Sequence, residues 1–363
     1  MQIKNNILSD RLEYDGKFPF WLTKTQRSAR KRYLQTIQDD DFIYHDKCAI
    51  CKSDQAILIS TKERRGLLVN IYLCENCGVL FKNPVLNEKA AQRHYEEISY
   101  FLRGKTYTLD NLEMLFQERV NQFAAKRYEL LKSKVRVEKG DLIVEVGCND
   151  GANLVPWNNA GYEVIGFDWD NTLLEFGRKK GLRLLKGDVS LLTSLKLKPK
   201  LIILSHVLEH LKDPIAELKK YAKLLKTNGY IFIEVPGIKE WCIDFLDYFD
   251  IEHNFYFNLE VLKRIITQCG YTLKYSDEYI QMILQKVGID ADDTYPPEPI
   301  RAGIGDKEKV INLEYLKKIE DDYRNNIKYF LKGLRTLLIN HLLLPVDDLI
   351  SIPDFILSFL RIR

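Results

Sequence analysis

DLIVEVGCNDG, Asp141–Gly151, is the stretch that decides the fold. An apolar run passes through Glu145 into a turn holding Gly147 and Gly151. Strands buried on both faces of a parallel sheet read as such runs, and glycines just past their ends let backbone approach a ligand. Downstream, strand and helix patterns alternate. YEVIGFD (Tyr162–Asp168) is a strand ending on an acid, Thr172–Lys180 a helix closed by Gly181, and Leu182–Leu185 a short strand before Gly187-Asp188. LIILS (Leu201–Ser205) is another buried strand, and Asp213-Pro214 supplies the N-cap and N1 proline of a helix to Lys226. Tyr230–Val235 is a strand stopped by Pro236, Asn258 caps a helix to Cys269, and Tyr271–Tyr275 with Gln281–Val287 read as two further strands. Strands separated by helices predict an α/β fold with a doubly wound sheet.

Upstream of this unit, residues 1–47 read as a polar arm with a short helix near Ser28–Ile37, and its aromatic patch Phe18–Trp21 is expected to dock on the body. Cys48-Ala-Ile-Cys51 and Cys74-Glu-Asn-Cys77 are separated by 22 residues. Two such knuckles place four thiolates around one tetrahedral ion, the arrangement Zn²⁺ favours, with no open position left for catalysis. The segment between them alternates like a small antiparallel hairpin, so 48–86 reads as a structural zinc ribbon. Residues 87–139 are linking helices, Asn87–Arg103 and Leu112–Lys132, the latter with Leu112, Leu115, Phe116, Val120, Phe123, Ala124, Tyr128 and Leu131 at helical spacing. Residues 140–287 form the α/β domain. Within 288–363, a polar linker to 311 precedes a long amphipathic helix marked by Leu316, Ile319, Tyr323, Ile327, Phe330, Leu334 and Leu337. The apolar tail Ile350–Arg363 is expected to pack on the body or on a dimer mate, with weak peripheral membrane contact as the alternative.

Composition narrows the partners. The chain has 363 residues, 46% hydrophobic and 29% charged, as in ordinary globular proteins. Its net charge of +3 is too small to argue for nucleic acid or an anionic membrane. No apolar run is long enough to span a bilayer and the N-terminus lacks an apolar leader, so a cytoplasmic location is expected. Seven cysteines, four of them in close pairs, suit a metal in a reducing compartment better than a disulfide framework.

The first turn has the wrong spacing for a dinucleotide, since G-x-G-x-x-G is absent, and it lacks the G-K-[ST] of a phosphate loop. Glu145 would repel a pyrophosphate but suits a ligand carrying an ammonium group. Asp168, ending the second strand, can accept hydrogen bonds from a ribose diol, and Asp188, after the third, is placed for the amine of an adenine.

The motifs E-x-G-C-N-D-G, G-F-D, K-G-D, S-H-V-L-E-H-L-K-D-P and E-H-N-F-Y-F resemble the class I S-adenosylmethionine-dependent methyltransferases. More narrowly, the chain is similar over about residues 48–287 to the zinc-ribbon branch found with surface-glycan and nucleotide-sugar pathways. The resemblance implies a seven-stranded Rossmann-like sheet whose last strand, Gln281–Val287, is antiparallel. It assigns the cofactor to Glu145, Gly147, Cys148, Asn149, Gly151, Asp168, Asp188, Ser205 and His206. Asn149 replaces the central glycine of the usual turn, as is typical of sugar C-methyltransferases. The implied acceptor is a sugar, as a nucleotide sugar or glycan end, methylated at oxygen or carbon. Candidate bases are His206, with Glu209 behind it, and His253 with Tyr256, because family topology returns the E-H-N-F-Y-F segment to the same cleft. His210 reads as a loop-capping histidine.

His206-Val-Leu-Glu209-His210 also matches the H-x-x-E-H of inverted zinc proteases. That chemistry needs both histidines on one face of a sustained helix, whereas here they fall between a strand ending at Ser205 and a helix starting near Asp213. Two other readings stand beside the sugar enzyme. One is a binding protein using its ribbon, with a vestigial methyltransferase body; the mixed charge of the ribbon and its few aromatics argue against nucleic acid. The other is a methyltransferase for a nucleic acid or small metabolite.

Overall fold

The computed structural model describes residues 1–18, 22–238, 244–277, 280–287 and 313–325. Strands are β1 (Gln2–Asn5), β2 (Phe42–Ile43), β3 (Gln55–Lys62), β4 (Leu68–Cys74), β5 (Leu80–Lys82), β6 (Val85–Leu86), β7 (Leu142–Val146), β8 (Glu163–Asp168) and β9 (Leu184–Lys186). They continue with β10 (Leu201–Ser205), β11 (Tyr230–Glu234), β12 (Phe255–Tyr256), β13 (Tyr271–Ser276) and β14 (Gln281–Lys286).

The opening stretch becomes β7, in the interior of a seven-stranded sheet of order β13-β14-β11-β10-β7-β8-β9. Pairings from β11 across to β9 are parallel, and β14 runs antiparallel to both β11 and β13. The expected doubly wound Rossmann-like sheet is present. Its strands feed both faces with period two: Val144, Ile202 and Leu204 join one core, while Ile143, Ile203 and Phe232 join the other. Each buried side chain of this size contributes about 1.5–3 kcal/mol, so both faces must be covered. Strand order reverses direction at β7, flanked by β8 and β10, and a crevice therefore opens at the C-terminal ends of these strands.

A second sheet, β1-β3-β4-β5-β12, carries the cysteine knuckles. The predicted hairpin is β3 with β4. Two strands come from outside the stretch 48–86. β1 adds to β3 in parallel, Gln2 opposite Gln55, and β12 adds to β5 with Phe255 opposite Phe81. A buried ionic seam reinforces this joint: Arg65 Nη1 lies 3.0 Å from Asp250 and 3.3 Å from Glu63, and Lys82 donates to the Ile251 carbonyl.

Three helices differ from their predicted form. The N-terminal helix spans Lys24–Thr36, starting earlier than expected because Thr23 and Gln26 form a capping box. Asn87 caps its helix as predicted, but the helix breaks at Ile98, whose φ of −125° leaves the α region, giving Glu88–Glu97 and Ser99–Leu102. The third runs from Leu109 to Lys134 through a π turn at Val120–Ala124. The wider turn breaks the regular spacing, and Phe123, within it and placed by periodicity in the core, is 45% exposed. The C-terminal helix is seen over Leu313–Asn325, where Leu316 is fully buried and Glu320 accepts from Arg11 at 2.6 Å. Pro19–Trp21, the linker from 288, the helical positions from Ile327 onward and the apolar tail lie outside the described residues. Among the described residues, no helix is long and apolar enough to cross a membrane.

Candidate active site

Around the first turn, Gly147 (φ +66°), Asn149 (φ +52°) and Gly151 (φ +78°) are all left-handed. At Gly147 a Cβ would stand 2.7 Å from Val207 Cγ2, so this position needs glycine twice over. Asparagine tolerates the left-handed region, and Asn149 occupies it while its backbone N–H donates to Asp168 Oδ2 at 2.8 Å. The other Asp168 oxygen accepts from the Asp170 N–H at 2.9 Å, which ties the turn to the end of β8. Burial raises the Asp168 carboxyl above its ordinary range. Cys148 is buried, its Sγ lying against Gly166 where a Cβ would be only 2.6 Å away. Gly151 faces Leu182 and Leu184 instead of the crevice, so it closes the turn by packing.

Glu145, next to last in β7, is 2% exposed. Its Oε1 accepts from Asn153 Nδ2 at 2.6 Å, while Oε2 is buried with no hydrogen-bond partner. Burial pushes this carboxyl up to about 8, against the lowering effects of Asn153 and Arg127. A buried unpartnered oxygen costs about 1–3 kcal/mol, so the site is incomplete without a donor. Asp188 is half exposed, accepts from the Ser190 N–H at 2.6 Å and faces Lys220 at 3.7 Å. Asp168, Trp169 and Asp188 line a cavity of about 350 Å³ beside the turn. S-adenosylmethionine fits these residues: its ammonium is the donor Glu145 Oε2 lacks, Asp168 retains lone pairs for a ribose, and Asp188 is open to an adenine amine.

A second cavity, of about 610 Å³, adjoins the first, and Gly147, Asn149 and His206 line both. His206 leaves β10 with φ +55°, its N–H held by the Glu234 carbonyl at 2.8 Å and its imidazole 48% exposed. Burial would lower its pKa, but Glu209 and Glu234, 3.6 and 4.0 Å away, outweigh this and raise it. Ser205 also lines this cavity, its hydroxyl tied to Glu234 at 2.7 Å. Glu209 is 1% exposed and neither carboxylate oxygen has a hydrogen-bond partner. Burial would raise its pKa, yet His206, His210 and His253 together hold it down at about 2. His253 sits 4.9 Å from His210, ring to ring, and burial lowers it to about 4.

Tyr256 does not reach the cleft. It is 2% exposed, and its hydroxyl accepts from the Asp250 N–H at 2.9 Å and donates to the Asp250 carbonyl at 3.1 Å. Pairing of β12 with the ribbon sheet turns this side chain into the core. Sequence spacing also missed the cationic lining: Arg64, Arg65, Arg103, Arg119 and Arg127 all face the second cavity. Each is paired with a carboxylate, among them Arg103 with Glu252 at 2.6 Å, Arg127 with Glu234 at 2.5 Å, and Arg119 with Asp150. Arg64 and Arg65 come from the hairpin turn, Arg103 from the end of a short helix, and Arg119 and Arg127 from the long helix Leu109–Lys134, so no single local pattern links all five.

Cys48 and Cys77 Sγ are 3.9 Å apart, Cys51 and Cys74 Sγ 3.4 Å, and all four thiols are buried. A tetrahedral ZnS₄ site with bonds of about 2.3 Å has edges of roughly 3.8 Å, so the donors fit such an ion.

Residues 111–275 match a family described as "Methyltransferase domain". The C-methyltransferase NovU of Streptomyces niveus is 23% identical over 210 residues, covering 56% of this chain and 46% of that protein. The chain thus spans about half the length of this curated relative. A SAM-dependent methyltransferase from Archaeoglobus fulgidus is 24% identical, covering 46% of this chain and 78% of that one at a TM-score of 0.36. DesVI of Streptomyces venezuelae is 13% identical, covering 49% and 97% at a TM-score of 0.39. Residues 111–275, a little under half of the chain, are thus similar to a methyltransferase domain.

Proposed function

We propose that the protein transfers a methyl group from S-adenosylmethionine to a sugar, presented as a nucleotide sugar or as the end of a surface glycan. The observation that carries this reading is the pair of cavities meeting at Gly147, Asn149 and His206. The smaller suits the adenosyl end of the cofactor, whose amino-acid end would reach Glu145 at the edge of the larger. The other is lined by guanidinium–carboxylate pairs whose remaining N–H groups suit hydroxyl and phosphate oxygens better than an apolar acceptor. The name of NovU makes carbon the atom to test first.

When bound, the cofactor supplies a methyl group made electrophilic by a sulfonium centre. Glu145 holds its ammonium, Asp168 its ribose and Asp188 its adenine amine. Gly147 keeps Cβ atoms out of the space between the cavities. His206 stands where the cavities join and takes the proton from the acceptor, with Glu209 and Glu234 stabilising the imidazolium that forms. His253 is the second candidate base, set deeper beside His210. Because the displacement is in-line, positioning of acceptor against methyl supplies most of the effect. Cys48, Cys51, Cys74 and Cys77 hold a structural zinc ion, which stabilises the sheet that contributes Arg64 and Arg65 to the acceptor side.

The test is incubation of the full chain with methyl-labelled cofactor and a panel of nucleotide sugars, followed by mass spectrometry. Label on a sugar supports the reading. Label on none of them, from protein that binds the cofactor, overturns the choice of acceptor.

A further inference from the structure

The H-x-x-E-H motif is used only in part by the chemistry above, through His206 and Glu209, and its surroundings are unusual. Glu209, His210 and His253 each offer a ligand atom, a carboxylate oxygen and two imidazole nitrogens, and these all lie within 4.8 Å of one another. Glu209 is 1% exposed, and no donor reaches hydrogen-bond distance of either oxygen. The nearest imidazole nitrogens, His206 Nδ1 and His210 Nε2, stand 3.6 and 3.7 Å from Oε1. Both spacings are too long for hydrogen bonds, and that between Glu209 and His210 suits two ligands sharing one ion with bonds of about 2.0–2.2 Å.

The second shell points the same way. His210 Nδ1 is 3.0 Å from the Glu252 carbonyl, which can only accept, so in the neutral ring Nδ1 carries the proton. The Tyr95 hydroxyl, 3.1 Å away, fixes the same edge of the ring. The lone pair is thereby left on Nε2, the atom that faces Glu209. Metal-ligating histidines are oriented in this way, by a backbone or carboxylate acceptor on the far nitrogen. The 3₁₀ turn Leu208–His210 supplies two of the ligands and the loop before β12 the third, so no sustained helix is needed.

We propose that Glu209, His210 and His253 form a divalent-metal site in the wall of the acceptor cavity, separate from the cysteine site. Two imidazoles and one carboxylate suit a first-row ion of the Zn²⁺, Fe²⁺ or Mn²⁺ class and leave coordination positions open. All three residues line the larger cavity, so the open positions face the acceptor and can take one of its oxygens. The inference rests on reading this cavity as the acceptor side, but metal binding is measured without turnover. It can therefore fail while methyl transfer stands, and the reverse.

The experiment is metal analysis of the full chain after equilibration with Zn²⁺ and removal of loose ions. The expected content is about two zinc ions per chain, one of them lost in Glu209→Gln and in His253→Asn but retained in Cys74→Ser. Cofactor binding by calorimetry identifies the variants that have kept their fold, and either folded variant suffices. A wild type holding a single zinc ion that disappears in Cys74→Ser overturns the proposal. So does a folded Glu209→Gln or His253→Asn variant that keeps both ions.

Discussion

Replacing Glu145 with glutamine should strengthen the empty protein while weakening its grip on the cofactor. In the fold this carboxyl is raised by burial from 4.5 to about 8. Between those two values the unfolded chain has lost the proton that the folded chain keeps, so stability falls as pH rises from about 4.5 to 8. A rise of this size corresponds to about 4–5 kcal/mol, and relaxation of the crevice and entry of water reduce it to about 1–3 kcal/mol. Glutamine keeps the shape and leaves its carbonyl or amide to meet Asn153, but it cannot ionise. Glu145→Gln should therefore raise the melting temperature at pH 8 and change it little at pH 5. The variant also lacks the charge that meets an ammonium, a hydrogen bond worth about 1.5–3 kcal/mol, so cofactor affinity should drop about 10- to 100-fold. Thermal unfolding at the two pH values and calorimetric titration read the two effects separately. A variant less stable than wild type at pH 8, or one binding the cofactor unchanged, refutes this account of Glu145.

Other residues give sharper local tests. His206→Asn should lower kcat about 10²- to 10⁴-fold with little change in cofactor affinity, read by steady-state kinetics beside calorimetry; unchanged kcat would remove His206 as the base. Gly147→Ala forces a left-handed alanine against Val207 and should cost about 1–3 kcal/mol in urea unfolding, together with weaker cofactor binding. Asp250→Asn leaves buried Arg65 with a single carboxylate, Glu63, and should cost about 3–5 kcal/mol. Cys74→Ser should release the ribbon's zinc and lower the melting temperature, and a chelator should do the same to the wild type. An unchanged melting temperature in either case would deny the metal its structural role.

The parallel sheet was legible because each strand is a local apolar run, from Leu142–Val146 through Leu201–Ser205 to Tyr230–Glu234, closed by a glycine, a serine or an acid. Glu145 and Asp168 were legible for the same reason: polar groups ending such runs stand at the crevice. Non-local pairing was not. Nothing in Gln2–Asn5 says that it will lie beside Gln55, and nothing in Phe255–Tyr256 says that it will leave the cleft for β5 and carry the Tyr256 hydroxyl onto Asp250. The π turn at Val120–Ala124 likewise escapes a count based on regular helical spacing, and Phe123, within that turn, faces out. The arginine lining arises from segments that meet only in the folded chain. Phe81 opposite Phe255 and Arg65 beside Asp250 show how: the ribbon sheet is completed by the domain it precedes, so its basic edge becomes a wall of the second cavity.

The most direct test of the central claim is calorimetric titration of S-adenosylmethionine into the folded full chain and into Asp168→Ala. The account predicts saturable binding by the wild type and its loss in the variant, whose turn has lost the carboxylate that accepts from Asn149 and Asp170. A wild type that is folded and gives no binding heat would contradict it.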